Sequence, residues 1–408
     1  MCEKTRPALV PKRGASTTGL GYGIYVHVPY CRRRCPYCDF YFEVRKPHDD
    51  FVKSVERELA ARLPGHVGAM PHTGGTVPQS LYFGGGTPSA LSDDSLIRLV
   101  DSIRNQTGQS EKLEITVEVN PEDLEAGRCE RWVAHGINRL SLGLQSFDDE
   151  VLRYLGRAHS GKTGESAIRM AVDAGIERIS VDWIAGVPGE GADRWVRELE
   201  TLERLGVGHV SAYLLTLEAG TPLESLIQLG KRADIDEDHQ ADAYEHLQIL
   251  LSQAGYRQYE VSSYAKPHQE SQHNRLYWSK GSYLGLGPGA HSMRYLAGGA
   301  VERRQNGTEL DRWLHAPDSA AYETEVLTSR EAFLEGVAFG LRDMLAGIHL
   351  STLTERHAIS DTSALRSVLD VLAGYQWIDW NGDFACMTAL GARFADAVAR
   401  EILAVELT

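Results

Sequence analysis

The chain predicts an α/β fold, a partial (β/α)6 barrel followed by a C-terminal, mostly helical, winged-helix-like domain. Three observations carry that expectation. Six strand-then-helix units follow one another up to residue 215, which argues for a parallel sheet curled by right-handed crossovers. Six units fall short of the eight that close a full barrel, so the array stays open. Beyond residue 216 the repetition stops, and helical patterns around one hairpin signal (Trp377-Ile378-Asp379-Trp380-Asn381-Gly382) take over.

The first strand is the β-forming run Ile24, Tyr25, Val26 and Val28, ended by Pro29. A helix is expected over 49–63, stopping before Pro64-Gly65, with a Gly-, His- and Pro-rich loop over 64–78. A second strand at 80–83 leads into Gly84-Gly85-Gly86-Thr87-Pro88, then a helix N-capped by Ser92 with acids in its first turn. The third strand, 113–119, stops at Asn120-Pro121 before a helix over 123–135. The fourth, 137–144, is followed by Gln145-Ser146 and helices at 148–155 and 161–174; the fifth, 178–184, by Gly186-Val187-Pro188-Gly189 and a helix at 192–205. The sixth strand is 207–215. An amphipathic helix at 236–254, a strand at 258–263 and a polar, aromatic stretch lead to the helical tail. The chain thus divides into a flexible N-terminus (1–20), the barrel (21–255), a connecting segment (256–320) and the C-terminal domain (321–408).

The unusual residues sit just after strands, and in barrels of βα units those loops converge on one face that carries the site. Foremost are Cys31, Cys35 and Cys38, at the spacing C-x3-C-x2-C; the chain's other three cysteines are isolated. Thiolates select zinc, copper(I) or iron–sulfur clusters. A structural zinc site is usually closed by four protein ligands, whereas this loop offers three thiols and no fourth. The donor set therefore fits a four-iron cluster with one iron left open, against a zinc clip completed by His27 or His48. The odd trio also argues against disulfides.

Composition narrows the class. At 408 residues, with 42% hydrophobic and 24% charged residues, the chain reads as an ordinary soluble protein. A net charge of −14 argues against a nucleic-acid binder working through bulk electrostatics. Arg32-Arg33-Arg34 is a local basic patch on which an anion or electron donor could dock. No apolar run of about eighteen residues is present, and residues 1–20 lack the apolar core of a signal peptide, so a cytoplasmic protein is expected.

On these residues the chain resembles the radical S-adenosylmethionine (SAM) superfamily, whose signature is C-x3-C-x2-C with an aromatic, here Tyr37, before the last cysteine. The resemblance implies a radical-SAM barrel with a [4Fe-4S] cluster held by Cys31, Cys35 and Cys38, and with SAM chelating the open iron. Segments such as Tyr82-Phe83-Gly84-Gly85-Gly86-Thr87-Pro88, Glu118-Val119-Asn120-Pro121, Leu142-Gly143-Leu144-Gln145-Ser146-Phe147 and Leu155-Gly156-Arg157 look like the coproporphyrinogen-oxidase-like branch. Carried over by position, the branch's SAM-contacting residues are Tyr25, Gly85, Gly86, Thr87, Glu118, Gln145, Arg157 and Asp182. One departure is Trp183 and Ala185, which replace Leu and Tyr of the usual pattern and bring the cavity wall into question.

Two features separate members of the branch. The decarboxylating oxidase carries a further cysteine two residues after the third, where this chain has Phe40. His273-Asn274-Arg275-Leu276-Tyr277-Trp278 matches the H-N-x-x-Y-W motif of HemW-type heme chaperones, whose histidine is implicated in haem binding. Imidazole is a haem-iron ligand and the flanking rings offer flat apolar faces, so His273 is the expected haem contact, with His291 in Gly287-Pro288-Gly289-Ala290-His291-Ser292 the weaker candidate, read first as structural. The resemblance implies a chaperone that passes haem to apo-hemoproteins, with a homodimer and peripheral membrane contact as further expectations and no catalytic residue assigned. The competing readings are an oxygen-independent coproporphyrinogen III oxidase and a radical-SAM methyltransferase.

Overall fold

The computed structural model describes residues 21–68, 77–108, 110–317 and 321–407. The expected flexible segment 1–20 lies outside them. The six anticipated strands are present as Tyr22–Val28 (β1), Ser80–Gly85 (β2), Glu114–Val119 (β3), Arg139–Gln145 (β4), Arg178–Ala185 (β5) and His209–Leu214 (β6). Neighbours pair in parallel throughout. Alternate residues sort to two faces: Tyr22, Ile24, Val26 and Val28 of β1 are fully buried in the main core beneath the outer helices, leaving Gly23, Tyr25 and His27 for the concave side.

Six further strands extend this sheet at both edges. Arg257–Gln258 (β7) and Ser263–Ala265 (β8) add antiparallel beyond β6. Ser282–Leu286 (β9) pairs in parallel with β1, and His291–Tyr295 (β10), Val301–Asn306 (β11) and Tyr322–Leu327 (β12) follow antiparallel. The order is β12-β11-β10-β9-β1-β2-β3-β4-β5-β6-β8-β7, twelve strands in one sheet. Both edges of the six-stranded array are thus built from chain that follows the βα repeats, and β9 is a seventh parallel strand with no βα unit of its own.

Two local expectations are corrected. The first helix is Phe51–Gly68 and runs through Pro64; His66 beyond it is buried with its ring edge-on to Tyr22, 6.3 Å between centroids, and that packing outweighs the lost backbone bond. The third-unit helix begins at Arg128, not 123, because Pro121–Asp123 form a 3-10 turn and Asp123 turns inward to accept a bond from Ser89. From Ser329 onward, five helices enclose a separate core with a three-stranded antiparallel sheet, Ile348–His349, Phe384–Met387 and Ile378–Trp380 in spatial order. The expected hairpin is formed by the Ile378–Trp380 and Phe384–Met387 strands, with Ile378 opposite Met387. No helix among the described residues is long and apolar enough to cross a membrane.

Candidate cluster and SAM site

The cysteine loop leaves β1 and is fastened to the ends of its neighbours. A backbone bond from Gly86 N–H to the Val28 carbonyl (2.9 Å) ties the glycine run to β1's end. Gly85 sits at φ +107°, where an added Cβ would lie 2.6 Å from the His27 ring; Gly156 has φ +68° and a Cβ there would meet Pro36 Cδ at 2.7 Å. These two glycines let the loop close down on the barrel. Two of the three basic residues serve the same end: Arg32 pairs with Asp123 at 3.0 Å, and Arg33 donates to the Gly156 carbonyl at 2.7 Å.

A hydrogen-bonded chain across three strand ends links two of the cysteines. Cys31 Sγ lies 3.3 Å from Thr87 Oγ1, which accepts from Asn120 Nδ2 at 3.2 Å. Asn120 Oδ1 accepts from Arg157 at 2.6 Å; Arg157 also donates to the Gly143 carbonyl (2.6 Å) and to Cys35 Sγ (3.4 Å). Gln145 Nε2 joins this group over Gly143, where a Cβ would stand 3.4–3.5 Å from Gln145, Arg157 and Asn120 together. Gln145 holds a left-handed backbone, φ +71°, at an irregularity in the β4–β5 register, local strain of the kind that marks functional sites. Tyr37 packs beside Leu155 and Val151. Asn120, legible only as the residue ending the third strand, is the bridge that sequence reading missed.

The acids line the concave face. Glu118 accepts from Tyr82 O–H (2.8 Å) and Gly85 N–H (3.2 Å), and Asp182 accepts from Ser141 O–H (3.3 Å). Tyr25 stacks on Tyr82 at 6.1 Å and hydrogen-bonds His27 at 3.2 Å. Trp183 and Ala185 point the other way: both are buried in the helix-side core, Trp183 against Trp195 at 5.3 Å. Their departure from the branch pattern therefore leaves the cavity wall at Asp182 unchanged.

Burial pushes Glu118 up to about 7 and Asp182 up to about 6. Each carboxyl holds its proton more tightly folded than unfolded, so its contribution to apoprotein stability is full below the ordinary carboxylate pKa and is lost as pH rises through those values. Glu118→Gln and Asp182→Asn should each raise the unfolding free energy of the apoprotein at pH 8, by on the order of 1 kcal/mol or more in denaturant melts, with the gain vanishing near pH 4. Equal gains at both pH values would refute this account.

His273 is placed differently from its expected role. It lies on the helix Gln272–Trp278 and is 1% exposed. Its ring stacks on Tyr82 at 4.9 Å, with Nδ1 2.8 Å from Ser80 Oγ and Nε2 2.8 Å from Tyr277 Oη. Both nitrogens are engaged, and burial lowers its pKa to about 3.

Comparison with known proteins matches residues 25–202 to the radical SAM superfamily. The chain is 33% identical over 404 residues to the heme chaperone HemW of Mycobacterium tuberculosis (strain H37Rv), covering 97% of each chain. The chain belongs to the HemW-type heme chaperone family of the radical SAM superfamily. HemW of Bacillus subtilis is 32% identical over 86% of this chain and 90% of its own length. The bovine mitochondrial radical S-adenosyl methionine domain-containing protein 1 is 34% identical over 84% and 78%. Among solved structures, coproporphyrinogen III oxidase from Escherichia coli superimposes with a TM-score of 0.77 at 21% identity, over 96% of this chain and 92% of that one, which shows a shared fold.

The residues of this HemW-family site fit a cluster and SAM. Three soft thiol donors lie on one loop, the donor type that iron–sulfur clusters take. Arg157 Nε is buried without a hydrogen-bond partner among the described residues. Burial raises the Cys31 thiol to about 11 and the Cys38 thiol as well; coordination to a metal removes such protons outright.

Proposed function

We propose that this chain is a cytoplasmic heme chaperone that binds haem and a [4Fe-4S] cluster with SAM and delivers haem to apo-hemoproteins. The supporting observation is end-to-end similarity to heme chaperones on a site with Phe40 at the position of the oxidase's additional cysteine. Phe40 is 76% exposed; it adds no ligand to the loop and points its ring to solvent. Cys31, Cys35 and Cys38 would hold the cluster, which supplies one-electron chemistry when SAM is bound.

The chain's own groups account for SAM recognition. Gly85 and Gly86 bring backbone close to a ligand, Glu118 and Asp182 offer carboxyls to amino or hydroxyl groups, and Arg157 offers a guanidinium to a carboxylate. Thr87 and Gln145 add polar contacts, and Tyr25 and Tyr37 flat ring surface. The His273 motif bears on haem through its rings: axial ligation by His273 itself needs its Nε2 released from Tyr277 and the helix opened.

The test is anaerobic reconstitution with iron and sulfide, then haem titration under visible spectroscopy with coproporphyrinogen turnover assayed in the same tubes. Stoichiometric haem binding without decarboxylation is the expected result. Conversion to protoporphyrinogen with no specific haem binding would overturn the chaperone and establish the oxidase.

A further inference from the structure

We propose that His291, on the concave face beside the cysteine loop, is the side chain that takes the iron of the bound metalloporphyrin. This rests on the haem-binding reading above. For a histidine to take a porphyrin iron, its imidazole nitrogen must be free, neutral and reachable across a space open enough for a planar macrocycle. His273 meets none of the access conditions. His27 is also committed, with its nitrogens 3.2 Å from Tyr25 Oη and 3.0 Å from the Tyr41 carbonyl. His291 is exposed, and its ring is hydrogen-bonded to none of the described residues.

Strand alternation places it on the correct side. In β10, Ser292 accepts from Arg62 at 2.8 Å and Arg294 donates to the Gly65 carbonyl at 3.0 Å, so both face the helix Phe51–Gly68. His291 and Met293 face the opposite way, and Met293 packs with Leu327, Ala332, Tyr283 and Tyr295. Because β9 is parallel to β1, the turn after β9 lies at the same end of the sheet as the turn that carries the cysteines. Gly289 in that turn abuts the Tyr41 ring, three residues past Cys38. Tyr41 stacks on His27 at 5.8 Å, and Tyr283 meets Tyr277 edge-on at 4.6 Å. A macrocycle beside His291 would find flat aromatic surface on this face.

The backbone that presents His291 is held from both sides. Gly287 N–H donates to Glu58 at 2.8 Å, and the Gly287 carbonyl accepts from Asn306 Nδ2 at 2.8 Å. Gly289 N–H donates to the Gly307 carbonyl at 3.1 Å and Asn306 N–H to the Ala290 carbonyl at 2.9 Å; His291 itself pairs with Gln305. A ligand on so fixed a strand end is preorganised. Partial burial and the Arg303 guanidinium lower its pKa, which keeps the imidazole neutral and its lone pair available.

The experiment is haemin titration of the anaerobically reconstituted protein, comparing wild type with His291→Ala, His273→Gln and Tyr277→Phe by Soret position and affinity. His291→Ala should lose the wild-type Soret position and bind haemin about tenfold or more weakly, and added imidazole should restore the band. His273→Gln and Tyr277→Phe should keep the wild-type position. A wild-type spectrum from His291→Ala, or a loss that imidazole fails to restore, would overturn the assignment while leaving the chaperone reading intact. Failure of wild type itself to bind haemin would overturn the chaperone reading, and this assignment with it.

Discussion

Replacing Cys31, Cys35 or Cys38 singly by alanine should reduce iron and sulfide loading to background after anaerobic reconstitution, with the brown absorption lost. On the proposed assignment each thiolate would hold one iron, and the loop has no spare cysteine: the next would have to stand at Phe40. Cys129 is buried in the barrel core and Cys386 donates to the Met344 carbonyl in the C-terminal unit, so neither can substitute. Folding should survive, because Cys31 and Cys35 take part in the strand-end network through weak sulfur contacts at 3.3 and 3.4 Å, while Arg157 and Asn120 keep their stronger bonds to each other. Iron content read beside far-ultraviolet circular dichroism checks both halves. Full loading of any single variant would sink the three-thiolate assignment, and full loading of Cys129→Ala and Cys386→Ala is the required control.

Glu58→Leu should destabilise the chain by about 3–5 kcal/mol, the largest single-residue effect on stability expected here. Glu58 is fully buried on the helix Phe51–Gly68. It accepts from Arg62 (2.6 Å), Gly287 N–H (2.8 Å), Asn306 Nδ2 (2.7 Å) and Trp313 Nε1 (3.0 Å). One carboxylate thereby joins a barrel helix to the β9–β10 turn and to chain near residue 313. Leucine removes the carboxylate that pairs with the Arg62 charge, only 11% exposed, and the acceptor of Gly287 N–H and Trp313 Nε1, while Asn306 Nδ2 keeps only its bond to the Gly287 carbonyl. Urea melts monitored by circular dichroism give the cost, and Glu58→Gln should recover part of it by keeping an acceptor oxygen. A loss under about 1 kcal/mol for Glu58→Leu would show that the network relaxes or hydrates.

The barrel was legible because its signals are local. Strand period, turn glycines and N-caps act over a few residues, and they located β1 to β6 and the order of the units. Gly156 and Arg157 could be singled out from the motif, yet the reason for each is a contact 120 residues away in sequence, with Pro36 and Cys35. The spacing of His273 and Tyr277 already allowed a different reading, since residues four apart on a helix meet; they do, and the bond occupies the nitrogen that the haem expectation needed.

What the sequence by itself determined is the six βα units, the cysteine trio and the set of polar residues at strand ends, all written in short-range pattern. Only the tertiary structure decided that residues 257–327 complete the sheet at both edges, that Trp183 lies outside the cavity, that Asn120 bridges Thr87 and Arg157, and that His273 is enclosed while His291 is open. Those outcomes depend on which surfaces distant segments cover, and burial of that kind leaves no mark in the local spacing of residues.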